Sequence, residues 1–460
     1  MKFTMKRFFL RTMLAVVALL VFSCKKDFLD RNPNKALLIP KTLTDLQSLL
    51  DNTDVMNKAP ALQMISSDDF YTVKSFLDGA TVKERNSYLW ADDVYEGLFA
   101  SDWDAPYQQV FYANIVLDAL KEISPEAGSQ ADYNRVKGSA LFYRAMAFYN
   151  LGQLFMRAYD GGSATADPGV PLPLVSDVNE SPGRGNVQMV YDRIIADLQE
   201  AAPLLPAKPS VKSRPSQPAV YALLARVYLA MQNYPAAEEY AGRALAANDK
   251  LIDYNTLDTL AARPFPLALP DGNDEVIFYS ILIPYVFNTS SMVGADTALY
   301  GSYAGGDLRR PLFFKPKVNN IAVFKGSYTG SYNLFGGLAT DEMYLVRAEC
   351  YARRNDISDA MNTLGSLLVK RYKGGRTGPL APASQEEAVK MVLAERRKEL
   401  VSRGTRWMDL RRLNKDPLYA VTLERIIGGV SYTLVPGDPR YVFPVPDNEI
   451  ASSGIAQNVR

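Results

Sequence analysis

The chain has 460 residues, 48% hydrophobic and 22% charged, with a formal net charge of +1. That is the make-up of a protein that buries a large core in water, and it offers nothing for nucleic acid. There is no histidine and there are two cysteines, which excludes Ser-His-Asp and Cys-His catalysis, histidine-ligated metal sites and a disulfide framework.

Lys2, Lys6, Arg7 and Arg11 precede an apolar run at 12–22 (TMLAVVALLVF). The run has the length of a signal-peptide core and is too short to span a bilayer comfortably. It ends at Val21-Phe22-Ser23-Cys24, where a small residue directly before cysteine resembles a bacterial lipobox. Phe22 departs from it, since a smaller residue is usual there. Cleavage after residue 23 makes Cys24 the lipidated N-terminus, anchored stably by two or more acyl chains. Residues 24–41 are polar, carry Pro33 and Pro40 and lack periodicity. They read as a tether, about 15 residues reaching about 50 Å when extended.

From Thr42 the chain turns helical, with Leu43, Leu46, Leu49 and Leu50 on one face. The pattern breaks at Asp68 and Asp69. It resumes at 103–120, where Trp103, Tyr107, Val110, Phe111, Asn114 and Leu117 share a side, so Trp103 is expected in the core. A strong helix is predicted over 131–158 through Ala140, Tyr143, Arg144, Ala147, Phe148 and Leu151, and an amphipathic one over 187–205, with a Gly/Pro/Ser-rich loop at 160–184 between them. Tyr221, Leu224, Ala225, Tyr228, Ala237, Ala241 and Ala244 then fall at tetratricopeptide intervals. The same spacing returns at Tyr344, Ala348, Tyr351, Ala360, Leu364 and Leu367. Such helix pairs cannot bury their faces alone and must stack. Cys350 lies inside one of these helices and reads as a packed small apolar residue rather than a nucleophile.

Between the two repeats, 251–339 is different. VIFYSILIPYVF reads as one or two short strands, and the rest alternates Gly, Ser and Tyr with little helical period. This is a loop-rich insertion presented by a helical scaffold, the usual place for binding. Adjacent carboxylates occur at Asp68–Asp69, Asp92–Asp93, Asp341–Glu342 and Glu386–Glu387. Neighbours in sequence do not make the opposed pair a glycosidase needs, and none of the Gly-Gly pairs extends into a phosphate-binding loop. No enzyme, cofactor or metal is expected.

The last scaffold element is 393–413, LAERRKELVSRGTRWMDLRRL. Leu393, Leu400, Trp407 and Leu410 form an apolar stripe, and the other face is dense in arginine and carboxylate. Gly404 reads as a helix stop and Thr405 as a cap, giving two helices joined at a corner locked by bidentate arginine–carboxylate pairs. This stretch resembles the ER..EL..EG.R..DLRR signature of SusD/RagB-type outer-membrane lipoproteins of the Bacteroidetes. Arg403 stands where that family usually has Glu, and Thr405 where it usually has His. SALFYRAMAFYNLGQLF with GVPLPL, DEMYLVRAECYARRND and the closing PVPDNEI resemble other family motifs in the right order. The family's terminal NPGY is absent.

The resemblance implies a mostly α protein of tetratricopeptide-like pairs packed against a loop-rich ligand-binding region with a few short strands. It implies residues 1–23 as signal peptide, 24–41 as lipidated tether and 42–460 as one domain, with repeats at about 131–250 and 340–413. It further implies an outer-membrane lipoprotein facing the cell exterior, a SusC-like TonB-dependent transporter as partner and an oligosaccharide as ligand. A peptide ligand, or a helical scaffold without a small ligand, are the alternatives. Sugars need flat aromatic faces plus polar groups that reach hydroxyls. The expected ligand residues are therefore Trp90 with Tyr88, Asp68 and Asp69 near the N-terminus, and Tyr285, Tyr300, Tyr303, Tyr328, Tyr332, Asp307 and Arg309 from the insertion.

Overall fold

The computed structural model describes residues 40–126, 128–375 and 380–460. The expected signal peptide, Cys24 and nearly all of the tether lie outside the described residues.

A run of helices makes the scaffold. After α1 (Leu43–Leu50), α2 (Ser101–Lys121) packs on α3 (Gln130–Phe155), α3 on α4 (Val187–Ala201), and α5 (Gln217–Ala230) on α6 (Tyr234–Ala247). Then α6 packs on α7 (Thr340–Arg353), and α7 packs on both α8 (Ile357–Leu368) and α9 (Gln385–Glu399). The long insertion between α6 and α7 is thus stepped over by direct helix contact. Small residues make this stacking possible: Ala222 and Ala225 on α5, Ala237, Ala241 and Ala244 on α6, Ala348 on α7 and Ala360 on α8 are fully buried. Gly138 does the same on α3, where an added Cβ would stand 2.9 Å from Leu205.

Several scaffold contacts also carry a buried ion pair. Arg144 of α3 grips Asp197 of α4 through two hydrogen bonds of 2.8 Å and donates to Asn114 of α2 at 3.0 Å. Arg226 of α5 holds Glu342 of α7. Arg412 of α10 (Arg406–Leu413) holds Glu349 of α7 through two bonds of 2.7 Å.

The strands are short and act as stitches. β1 (Lys58–Ala59) pairs in parallel with β4 (Ile281–Leu282), and β2 (Phe70–Thr72) pairs antiparallel with β5 (Val293–Ala295), so the N-terminal segment is sewn to the insertion. β3 (Val276–Phe278) pairs with β6 (Leu338–Ala339), closing the insertion's stem at the start of α7. β7 (Leu423–Ile427) and β8 (Val430–Leu434) form a hairpin. Among the described residues no helix is long and apolar enough to cross a membrane.

Several local expectations change. α4 stops at Ala201, short of 205. Phe111 is 37% exposed, while Asn114 on the same helix is buried by its bonds to Arg144 and to the carbonyls of Pro173 and Val175. Thr405 does not cap α10, because its backbone is already near-helical and its hydroxyl is not turned to the first amides. The corner is made instead by Ser402 and Gly404, with φ of +64° and +72°.

Ala241→Leu should overpack the α5–α6 contact and cost about 1–3 kcal/mol. Chemical denaturation would show it as a lower midpoint at unchanged slope.

Candidate functional site

Four of the expected ligand residues from the insertion sit in a buried charge network centred on the end of α9. Arg309 is fully buried; it bonds Asp307 at 2.9 and 2.7 Å, Glu395 at 2.6 Å and Glu399 at 3.1 Å. The Tyr303 hydroxyl donates to the Lys398 carbonyl at 2.8 Å. Arg371, also fully buried, joins Glu399 at 2.7 Å to Glu275 at 2.9 Å. The Tyr328 hydroxyl bonds Glu275 at 3.0 Å and shares a 2.6 Å bond with Tyr254. Arg403 clamps Asp341 at 2.9 and 2.6 Å and lies 3.7 Å over the Tyr328 ring. Glu275, Asp341 and Glu399 place carboxylate oxygens within 4.8 Å of one another, a spacing that could hold a metal ion. Arg371 and Arg403 already bring positive charge there, so these donors are committed to guanidinium groups.

Burial and charge pull these carboxyls in different directions. Burial pushes Glu275 up to about 7. Glu399 is equally buried, yet Arg371, Arg309 and Arg403 together hold it below the usual range. Asp68 behaves like Glu399: burial opposes ionisation, but its two bonds to Arg406 at 2.7 and 2.9 Å and its 3.2 Å contact with Arg397 hold its carboxyl low. Asp69 bonds Arg397 at 3.1 Å, and burial wins there, pushing it up.

Tyr88 and Trp90 pack around a residue that sequence reasoning did not single out, Arg425 on β7. Its guanidinium lies 3.7 Å over Tyr88 and 4.2 Å over Trp90. It donates to the carbonyls of Ile65, Ser66, Ser67 and Tyr88, closing the C-terminal end of the helix Leu62–Ser66. Trp90 is 2% exposed, and its indole N–H donates to the Ser66 carbonyl at 2.9 Å. Tyr285, half-buried, donates to Asp102 at 2.5 Å; Asp102 in turn caps the start of the same helix through Leu62 N–H at 3.0 Å. In this structure Tyr88, Trp90, Tyr303, Tyr328, Asp307 and Arg309 hold the fold and do not face solvent, a correction to the expectation that they present themselves to a ligand. Their polar atoms are taken by internal partners.

Of the other expected residues, Asp69 is buried against Arg397 as well, a further correction, and Tyr300 and Tyr332 are the ones that reach the surface. Tyr332 is 80% exposed with Arg263 3.7 Å over its ring. Tyr300, half-buried, is set at 5.4 Å against the edge of Phe314 and has Arg310 at 4.5 Å and Lys317 at 4.7 Å from its ring centre. It sits on the helix Thr297–Ser302. That helix and α9–α10 border an apolar cleft of about 330 Å³ whose lining includes Leu299, Ser302, Leu393, Arg397, Arg406 and Tyr419. The structure therefore brings Asp68 and Asp69, through their arginines, beside the helix that carries Tyr300. Tyr332 and Tyr285 stand on separate parts of the surface. Arg263, Arg310 and Lys317 were missed because cation–ring contacts leave no spacing signal in the sequence.

Residues 27–229 match a family model described as "Starch-binding associating with outer membrane", and residues 340–459 match the model of the SusD family. SusD-like protein P2 of Formosa agariphila is 25% identical over 84% of this chain and 87% of its own length. A SusD superfamily protein of Bacteroides thetaiotaomicron superposes with a TM-score of 0.73 at 20% identity, over 91% of this chain and 100% of its own. One from Bacteroides vulgatus superposes at 0.72 with 22% identity, over 91% and 99%.

Glu399→Ala should take one carboxylate partner from both Arg309 and Arg371, which keep Asp307, Glu395 and Glu275, and cost about 1–3 kcal/mol, read by denaturant unfolding. Glu275 gives a pH signature. Its folded pKa lies above its unfolded one, so its contribution is fully present below the unfolded value and fades as pH rises toward about 7. Glu275→Gln should therefore flatten the stability profile between about pH 4.5 and 7, whatever its absolute level.

Proposed function

Because the chain belongs to the SusD/RagB family, we propose that it is a cell-surface nutrient-binding lipoprotein. It captures oligosaccharides and passes them to a SusC-like TonB-dependent transporter in the outer membrane. Cys24 carries the lipid anchor, and the tether lets the folded part stand off the membrane on its exterior side. The helical repeats face the transporter, and the insertion faces the nutrient.

The observation that carries this reading is the division of labour in the fold. The helix stack is continuous past the insertion. The insertion is fixed to it by buried charge yet shows tyrosines with cationic neighbours at its surface. Tyrosine offers a pyranose ring a flat apolar face at small entropic cost, and the flanking N–H donors reach hydroxyls. Chemistry that cleaves a bond is not part of the proposal. Asp68, Asp69, Asp341 and Glu342 each face an arginine, so these carboxylates serve the structure and are not arranged as an acid and a base across a cleft.

The test is calorimetry on the mature chain carrying Cys24→Ser, titrated with oligosaccharides and with peptides. A saturable glycan heat, weakened about tenfold or more by Tyr300→Ala or Tyr332→Ala, is the expected result. Heat from peptides alone moves the protein to a peptide-importing role. Silence with both, while the transporter still co-purifies, leaves a scaffold without a small ligand.

A further inference from the structure

The surface around Tyr300 has a charge that its composition does not balance. From 297 to 326 the chain contains a single carboxylate, Asp307, against five cations, Arg309, Arg310, Lys315, Lys317 and Lys325. Asp307 is bound to Arg309 in the interior. Lys325 is buried and donates to the carbonyls of Thr259 and Ala261. Arg310, Lys315 and Lys317 are left. All three are exposed, and among the described residues none has an ion pair or a side-chain hydrogen bond.

Their placement is built into the backbone. Residues 314–324 form a small hairpin, bridged at Phe314–Phe324 and at Val318–Ile321, with Asn319 and Asn320 at its tip in the left-handed region, φ +52° and +65°. Strand periodicity puts Lys315 and Lys317 on one side of it. The hairpin is held down by the Ala295 N–H bond to the Ala322 carbonyl at 2.9 Å. It also packs over Gly294, where a Cβ would come within 2.9 Å of Ile321 and 3.0 Å of the Tyr71 ring. Arg310 reaches the same Tyr300 ring from the helix Arg309–Phe313. A ring contact leaves the charge and the N–H donors of both cations uncompensated. Two uncompensated cations held over one aromatic ring, with no free carboxylate in the segment, suit a sugar that carries a negative group.

We infer that the Tyr300 face selects acidic oligosaccharides, whose rings bear carboxylate or sulfate, over neutral ones of the same length. The inference rests on the receptor reading above and names its ligand class. Tyr300 holds Arg310 and Lys317 over its ring, and these two take the anionic substituent, with Lys315 extending the positive strip toward a second sugar unit.

The experiment is calorimetry on the mature Cys24→Ser chain with three probes of matched length: an oligogalacturonate, a sulfated galactan oligomer and a maltooligosaccharide. The expected result is that at least one acidic probe binds about tenfold or more tightly than the neutral one, in a way that weakens as salt is raised. Arg310→Gln with Lys317→Gln should erase that preference, whereas Lys121→Gln, an exposed change on α2, should leave it intact. Which acidic probe binds separates carboxylate from sulfate as the recognised group. If the neutral probe binds as tightly as the acidic ones and the double variant changes nothing, the acidic-ligand inference is overturned while the receptor reading stands. If no oligosaccharide of either kind binds, the receptor reading fails first and takes this inference with it.

Discussion

Glu399 is the point at which the parts of this molecule meet. It ends α9, receives Arg309 from the insertion and Arg371 from the turn after α8, and through Arg371 reaches Glu275 at the insertion's stem. Removing such charges from water costs several kcal/mol each, and their mutual attraction does little more than offset that cost. What the network supplies is discrimination among packings. Any arrangement that shifts the insertion relative to α9 strands a guanidinium or a carboxylate in the interior, and that penalty is far larger than the gain from pairing it correctly. The neighbouring pairs Arg403–Asp341 and Arg406–Asp68 extend the same logic to α7 and to the N-terminal segment.

The helix stack follows a simpler rule. Alanines at the contacts bring α5, α6, α7 and α8 close together, and one buried arginine–carboxylate pair fixes each of several junctions. Close approach alone would allow the helices to slide, since alanine surfaces are smooth. The directional pairs set the register. Apolar burial and ion pairing therefore divide the task, the first giving compactness and the second position.

Much of the scaffold was legible in the sequence because helical period and small-residue spacing are local signals. The 393–413 corner was legible in part: Asp409 pairs with Arg396 and Arg412 inside it, whereas Arg403 and Arg406 find their carboxylates far along the chain at Asp341 and Asp68, and α9 already ends at Glu399, before the glycine. The ligand residues were harder to read for a physical reason. Trp90 stands among Tyr88, Asp92 and Asp93 and has the look of an exposed site, yet Arg425, far along the chain, fills the space against it. Arg309 and Arg310 are adjacent and have opposite fates: one is wholly buried among carboxylates and the other faces solvent. A rotation of about 100° per helical residue separates them, and only the docking of the insertion decides which one turns inward. The Gly/Ser/Tyr composition is the same for buried Tyr303 and Tyr328 as for exposed Tyr332, so composition could locate the region and not the face.

The stem of the insertion is closed by β3–β6 and by the 3.1 Å bond from Asn248 to Thr340, at the very place where α6 meets α7. An excursion whose two ends are already held together behaves as a cassette. Lengthening or shortening it changes the closure entropy only slowly, by about 0.6 kcal/mol per doubling, so its outer loops are free to diversify over an unchanged chassis. The constraint on such exchange is a keyed one. A replacement cassette must bring its own counterparts of Glu275 and Arg309, or the buried Arg371–Glu399 pair of the chassis is left without its outer partners. Change in this architecture is thus tolerated at the rim and strictly coded at the root.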